Sequence, residues 1–483
     1  MENQSRGQWG STFGFLMAAV GSAVGLGNIW GFPYKMGSNG GFAFLLVYII
    51  MVIFVGIIVM LGELALGRKT GRGAVGAYVA LSKKYKWVGM MGVASGFLIL
   101  SFYSVLGGMV LRYAVGYLVS MFGADGFAGA GTGFFGFLLY DYKGMLLCYV
   151  IFMLINIVIV MGGIKGGIEK FSSIAMPALF FMLLAVIIYV ACQPGAGEGY
   201  AFMFKPDFTA LKEDFLGVVR TAAGQMFFSL SLGMGCMITY GSYLAKNENL
   251  QRNAVIIPVA DSIIAILAGC AVMPACAAFG VDFGAGPGLL FASMQTVFSN
   301  MGGFAGNLMG FLFYFLVLLA AITSSISLLE VCTTYAIDKR IDAGKDPARK
   351  KITVIYAAII FVVGLPVALD ALGSGGAAIP APYELLGLSG DAIKGWNDCW
   401  LDVYDLISEG ILMPLGALVM SLIIGWKLSP TRKHRDRENL IVLECQEGGH
   451  TFKAYKFFDI CFKYIVPFGM LIVLYGQIVS FFG

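Results

Sequence analysis

Apolar residues dominate this chain in long unbroken runs, separated by short polar connections. A run of about 20 apolar residues matches the thickness of a bilayer core. Eleven such runs can be drawn, at about 12–34, 41–67, 88–121, 144–162, 170–191, 215–243, 253–279, 306–337, 352–372, 402–426 and 458–482. None shows the period-two alternation of a barrel strand, so each is read as a helix. The expected fold class is an all-α integral membrane protein with eleven transmembrane helices. The runs leave no space for a soluble domain, and residues 1–483 are read as one membrane domain. The apolar stretch after Arg6 is too long for the core of a cleavable signal peptide and passes directly into the polytopic pattern.

Composition supports this picture. Hydrophobic residues make up 59% of the chain and charged residues 12%, with a mean hydropathy of +0.83. A water-soluble domain carries about twice that charge. The basic residues are placed unevenly. With the N-terminus in the cytoplasm, the clusters Arg68/Lys69/Arg72/Lys83/Lys84/Lys86, Lys339/Arg340/Lys345/Arg349/Lys350/Lys351 and Lys427/Arg432/Lys433/Arg435/Arg437 all fall inside. The outer loops keep scattered lysines such as Lys143, Lys205, Lys212 and Lys394. This bias predicts a multi-pass protein of the inner (plasma) membrane, with eleven spans placing the C-terminus outside. The net charge of +4 reflects that topology, and no nucleic-acid partner is called for. The lipid bilayer is the expected surrounding, and a monomer is compatible with the sequence. The nine cysteines contain no CxxC pair, although Cys192 and Cys399 could both face outside and leave one disulfide open. His434 and His450 share the last inner loop and do not make a metal site.

The first run contains AAVGSAVGLGNIWGFPYKMG, in which Gly21, Gly25, Gly27, Gly31 and Pro33 interrupt what should be a helix. The sixth run repeats the device in QMFFSLSLGMG. Either alone would suit close helix packing through small residues. Two breaks, five spans apart and therefore oppositely oriented, point to an inverted repeat with a site at the midplane. The first repeat would cover about 12–191 and the second about 215–426, with 458–482 as an extra helix. Irregular backbone at this depth must line a cavity or be buried in protein. Carbonyls exposed at one half-helix suit a cation, and N–H groups exposed at the other suit a carboxylate.

Span eight contributes LAAITSSISLLE, in which Ala320, Thr323 and Ser324 share one helical face. One carbonyl and two hydroxyls there would suit an alkali ion, although such hydroxyls commonly bond back to their own helix. Asp261 lies within span seven with no basic residue evident nearby. A buried carboxylate costs about 2.5–3.5 kcal/mol on insertion scales, and a bound cation would offset it. Glu63 is read as a hydrogen-bonded structural acid.

Arg6–Trp9 as RxxW, AVGLGNIWxFPY, NGGFAF, GELALGR, GQMFFSLSLGMG, ITYGSY and ITSSIS together resemble the neurotransmitter:sodium symporters. The resemblance is to their bacterial amino-acid-transporting branch with eleven spans and the leucine-transporter fold. It runs in order from Arg6 to the end of the chain and implies two Na+ ions. The first would use Ala23, Asn28, Ser229 and Asp261. The second would use Gly21, Val24, Ala320, Thr323 and Ser324. The implied substrate pocket is Ala23, Gly25, Gly27, Ile99, Tyr103, Phe228, Ser231, Met234, Ser324 and Leu328. Tyr103 and Phe228 would form its outer lid. The implied inner gate joins Arg6 and Asp338 with Trp9, Ser242 and Tyr243.

One departure stands out. Relatives carry Arg or Lys after NIW, where this chain has Gly31, and that cation pairs with an Asp on span ten, here Asp405 ahead of Asp402. Lys35, one helical turn further on, is the expected substitute at the outer gate; otherwise Asp405 is left to attract a cationic substrate group. Gly25 occupies the position where monoamine carriers of the family have Asp, which favours a carboxylate-bearing substrate. The expected activity is sodium-coupled symport of a neutral hydrophobic or aromatic L-amino acid by alternating access. A biogenic or aromatic amine is the alternative substrate. A non-transporting amino-acid sensor is the rival from another class. No filter-like repeat argues for a channel, and no nucleophile–base pair or cofactor motif argues for an enzyme.

Overall fold

The computed structural model describes residues 7–283, 288–373, 378–382, 385, 399–429 and 439–482, without side chains after 479. Among these, ordered structure is helical throughout, with no strand. The first interrupted segment is α1 (Thr12–Ala23) and α2 (Gly27–Ser38), bent by 50° at the break. Then come α3 (Phe42–Thr70), α4 (Lys83–Met121), α5 (Tyr142–Met161) and α6 (Ile164–Ala191). The second interrupted segment is α7 (Phe215–Ser229) and α8 (Cys236–Gly241). It is followed by α9 (Leu250–Ala278), α10 (Gly303–Asp342), α11 (Arg349–Gly373), α12 (Trp400–Lys427) and α13 (Tyr455–Val479).

Among the described residues, nine helices are long and apolar enough to cross a membrane, or ten with the bent pair as one span. The expected run 215–243 is not among the spans counted in this way. The run 215–243 is two helices of 15 and 6 residues around a gap, each too short to span alone. Its apolar content is that of a span, but its backbone is not.

Local chemistry sets the helix starts. The Ser11 hydroxyl accepts from Gly14 N–H at 2.9 Å, and the Asp214 carboxylate accepts from Gly217 N–H at 2.8 Å. Each satisfies one of the donors a helix start leaves without an intrahelical partner. Pro177 in α6 and Pro258 and Pro274 in α9 are held inside helices, which surrounding helices permit in a membrane bundle.

The interior is built around α4 and α10, which pack along each other. Their most apolar stretches are 83% buried, against 33–39% for α5, α6, α11 and α13. The latter turn large apolar side chains outward, including Val158, Ile174, Phe181, Val362 and Phe468. A contiguous apolar exterior of that kind fits a lipid surround. All nine cysteines are free, Cys192 and Cys399 among them.

Candidate functional site

Both breaks open against α10. In the first, the helix stops at Val24, whose backbone turns to φ −72°, ψ 105°. In the second, Ser231, Gly233 and Gly235 take φ of +53°, +80° and +79°. Left-handed backbone comes readily only to glycine. Ser231 holds it with a hydroxyl bond to the Ser22 carbonyl at 2.8 Å, which ties the two breaks together.

The ten residues expected around a substrate all line one small cavity, together with Ser22 and Ser229. The cavity measures about 20 Å³, enough for about one water. Tyr103 and Phe228 form its wall on one side. There the Tyr103 hydroxyl accepts from Leu26 N–H at 3.0 Å. A Cβ on Gly25 would stand 2.5 Å from Ser324 Oγ and 2.7 Å from the Tyr103 oxygen. A Cβ on Gly27 would stand 2.8 Å from the Phe228 ring. Glycine is needed at both positions for room, since neither has a positive φ.

Asn28, Ser229 and Asp261 also come together. Asp261 is fully buried. Its Oδ1 accepts from Asn28 Nδ2 at 2.7 Å, and its Oδ2 accepts from Ser229 Oγ at 2.9 Å. The Tyr48 hydroxyl donates to Oδ2 at 3.4 Å; the sequence reading missed it because its partner lies 213 positions away. Asn28 Oδ1 accepts from Gly25 N–H at 3.0 Å. The partners of the carboxylate seen here are neutral, Asn28, Ser229 and Tyr48, a set of oxygens beside one carboxylate that a monovalent cation would fit. Ala23 lies beside the cluster in the cavity wall.

The second oxygen group is divided. Thr323 Oγ1 bonds back to Leu319 and Ala320 carbonyls at 3.1 and 3.0 Å, the ordinary behaviour of a hydroxyl in a helix. Ser324 instead reaches across to the break, donating toward the Val24 and Gly21 carbonyls at 3.1 and 3.3 Å. Ser324 Oγ with the Gly21 and Val24 carbonyls forms one oxygen group, and Thr323 Oγ1 with the Ala320 carbonyl forms another on the same helix; hard oxygens of both kinds would suit an alkali ion. Among the described residues, no group of three or more His, Cys, Asp or Glu could hold a metal.

Glu63 plays the structural part expected of it. It is buried, and its Oε1 accepts from Gly233 N–H at 2.7 Å within the second break.

On one side of the cavity the protein is closed. Trp9 donates to the Tyr240 carbonyl at 3.0 Å and packs edge-on against Phe15, Tyr240 and Tyr243. The Tyr243 hydroxyl donates to Glu330 at 2.7 Å, and Arg349 grips the same carboxylate with two bonds of 2.6 and 2.9 Å. Glu330 and Arg349 were not legible in advance, because nothing in sequence pairs a helix interior with the next helix's first residue. Asp338 accepts from Gly73 N–H at 2.8 Å. Ser242 turns back to its own helix, at the Thr239 carbonyl. Arg6 lies outside the described residues.

On the other side a vestibule opens in two lobes of about 340 and 380 Å³. Tyr103 and Phe228 separate the larger lobe from the cavity. Lys35, Asp402, Asp405 and Glu409 line both lobes. Lys35 shares this space with Asp405 but forms no ion pair among the described residues; its ammonium lies 5.8 Å from the Tyr34 ring centroid. Glu409, four residues after Asp405, was not anticipated.

Comparison with known proteins accords with this geometry. The model of the sodium:neurotransmitter symporter family matches residues 6–125 and 140–378. The sodium-dependent transporter YhdH of Bacillus subtilis is 34% identical over 483 residues, 99% of each chain. A sodium-dependent transporter of Haemophilus influenzae is 33% identical over 448 residues, covering 89% of this chain and 91% of its own. The crystal structure of MhsT in complex with L-phenylalanine superposes with a TM-score of 0.82 at 37% identity, covering 98% of this chain and all of the other.

Proposed function

The chain belongs to the sodium:neurotransmitter symporter family and has the leucine-transporter fold, and on that premise we propose that it imports a neutral hydrophobic or aromatic L-amino acid with two sodium ions. Sodium-coupled transport follows from the family; the substrate and the ion count are our reading. The observation that carries it is the cavity where the two breaks meet. Backbone and hydroxyls surround it, and Gly25 leaves no room for an acidic side chain. As it stands the cavity holds about one water, so a substrate enters as the Tyr103 and Phe228 side chains draw back, with its carboxylate against the first break. The apolar wall of Ile99, Met234 and Leu328 receives the side chain, and flexible Met234 adapts to varied shapes. MhsT, bound to L-phenylalanine, offers a precedent for an aromatic amino acid on this fold.

Sodium would supply fixed positive charge at Asn28, Ser229, Asp261 and Ala23, and again at Gly21, Val24, Ala320, Thr323 and Ser324. Asp261 balances charge near the first position, so chloride has no task there. Tyr103 and Phe228 cover the substrate, and Lys35 and Asp405 approach as the vestibule closes. The Trp9, Tyr243 and Glu330–Arg349 seal then loosens, with Arg6 and Asp338 as part of it. With the basic loops inside, that seal faces the cytoplasm and the vestibule faces out. The protein sits in the plasma membrane with its N-terminus inside and can act as a monomer. Each sodium contributes about 2.3 kcal/mol per 100 mV and about 1.4 per tenfold gradient. Two ions give about 7 kcal/mol, enough for roughly 10⁵-fold accumulation.

The test is competition between a panel of amino acids and their decarboxylated amines for sodium-dependent binding. Neutral aromatic and branched amino acids should compete best. A panel in which amines win would transfer the reading to an amine carrier. Binding without any uptake into proteoliposomes would make the protein a sensor.

A further inference from the structure

The closed side of the protein carries an ion cluster that the seal around Trp9 and Tyr243 does not use. It is centred on Glu444, in a short helix, Leu440–Gln446, of the connection between α12 and α13. Glu444 is fully buried. Its Oε1 accepts from Arg68 Nε at 2.9 Å and from Lys246 Nζ at 2.6 Å. Among the described residues its Oε2 accepts no hydrogen bond, and Lys69 Nζ stands 3.9 Å from it. One carboxylate thus faces three cations. Arg68 and Lys69 lie in the last turn of α3, and Lys246 follows α8.

Arg68 joins this cluster to the rest of the closed side. Its side chain is fully buried, and it also donates to the Glu444 carbonyl and, at 2.6 Å, to the Glu248 carbonyl. The Glu248 side chain in turn accepts from Thr12 Oγ1, at the start of α1, at 2.5 Å. Two neutral contacts reinforce the joint. Gln251 Nε2 donates to the Thr451 carbonyl at 3.0 Å, and His450 Nε2 lies 3.0 Å from the Asn247 carbonyl oxygen. At its other end the segment is bonded to α13, where Asn439 Nδ2 donates to Asp459 at 3.4 Å. Residues 439–451 are thus a strap from α13 across the ends of α3 and α8. These two helices are packed backbone to backbone. A Cβ on Gly67 would overlap the Ile238 carbonyl, and one on Gly241 would stand 2.6 Å from the Leu64 carbonyl oxygen. Packing this close leaves no room to slide, so α3 and α8 move together. Opening the closed side moves α8, which carries Tyr240 and leads into Tyr243. The pair must then part from Glu444 or drag α13 along. A buried ion pair that loses one partner is strongly destabilised, so the cluster sets a threshold for opening.

We propose that Arg68 and Glu444 are positioning residues for transport: they form a latch that holds the closed side shut and releases the strap when that side opens. The latch rests on sodium-coupled alternating access and not on the identity of the transported substrate. Cys445, next to Glu444 in the strap, is buried and free. Alkylation of a thiol requires access to it, so Cys445 reads the release directly.

The experiment is alkylation of the purified full-length protein with N-ethylmaleimide, read at each cysteine by peptide mass spectrometry. It is done in potassium, in sodium, and in sodium with L-phenylalanine. In the wild type Cys445 should react slowest in sodium, whose proposed ligands tie α1 to α10. It should react several-fold faster in potassium, and faster in sodium with L-phenylalanine than in sodium alone. Lys246→Gln removes a half-exposed partner that the fold can spare, and it should raise the rate in sodium several-fold. Glu444→Gln should raise it further. Cys276, buried at the far end of α9, should stay protected throughout. If Glu444→Gln exposes Cys276 as well, that variant is unfolded and Lys246→Gln decides. Equal Cys445 rates in sodium and potassium would overturn the proposal, and so would a rate in sodium that Lys246→Gln leaves unchanged. If L-phenylalanine does nothing while potassium and the variants release Cys445, the substrate reading falls and the latch stands.

Discussion

The two breaks look alike in sequence, each an apolar-Gly-x-Gly within a span, yet their glycines do different work. In the first break no glycine needs a positive φ. Gly25 and Gly27 are there because Ser324, Tyr103 and Phe228 come too close for a Cβ. In the second break Gly233 and Gly235 supply left-handed backbone, at +80° and +79°. One break uses glycine to shape a cavity, and the other uses it to turn the chain. Substitutions should therefore separate folding from binding across the two.

Gly233→Ala should have the largest effect. Its Cβ would stand 2.4 Å from the Met413 carbonyl oxygen, and its φ would be strained as well. Strain of this type costs about 1–3 kcal/mol, and the backbone clash adds to it. Thermal unfolding of the purified protein should show a clear loss of stability, with little folded material recovered. A variant as stable as the wild type would remove the distinction between the breaks.

Gly25→Ala should come next, with the opposite signature. Its nearest neighbours are side-chain atoms and not backbone, Ser324 Oγ at 2.5 Å, the Tyr103 hydroxyl at 2.7 Å and Ser324 Cβ at 3.3 Å, so rotation of those side chains can relieve the clash. Melting should stay near that of the wild type while substrate affinity falls by about tenfold or more. Joint loss of stability and binding would mean that the first break, too, depends on glycine for its backbone.

The proposed ion positions sharpen the comparison further. Asn28→Ala removes a partner of Asp261, and Thr323→Ala removes an oxygen beside Ser324. Each should raise the sodium concentration needed for half-maximal substrate binding several-fold. Asp261→Asn should lower uptake and make it chloride-sensitive, while wild-type uptake is equal in gluconate and chloride. A wild-type need for chloride would show that Asp261 does not balance the charge. Lys35→Ala should have the smallest effect on binding, leaving substrate affinity near that of the wild type while slowing uptake, because Lys35 forms no ion pair among the described residues and meets Asp405 only as the vestibule closes.

Much of this was open to inspection in the chain itself, for reasons of periodicity. Hydrophobic length gave the spans, and the i, i+3, i+4 face of Ala320, Thr323 and Ser324 gave an oxygen cluster. Glycine density gave the breaks, but not what the glycines do, since φ at Ser231 or Gly233 is set by packing against other helices. Tyr48 and Glu330 stayed hidden for a related reason. Their partners lie on distant segments, and local pattern carries no information about such pairings. Glu409 was visible as a residue, but only the fold places it in the vestibule with Lys35 and Asp405.

The central claim is that the two breaks form one sodium-coupled chamber for an amino acid. Uptake of radiolabelled L-phenylalanine into proteoliposomes, under an inward sodium gradient or an equal potassium gradient, tests it most directly. The account predicts accumulation above equilibrium in sodium only, and a strong loss of it in Gly25→Ala at substrate concentrations below half-saturation of the wild type. Equal accumulation in potassium, or full activity in Gly25→Ala, would contradict it.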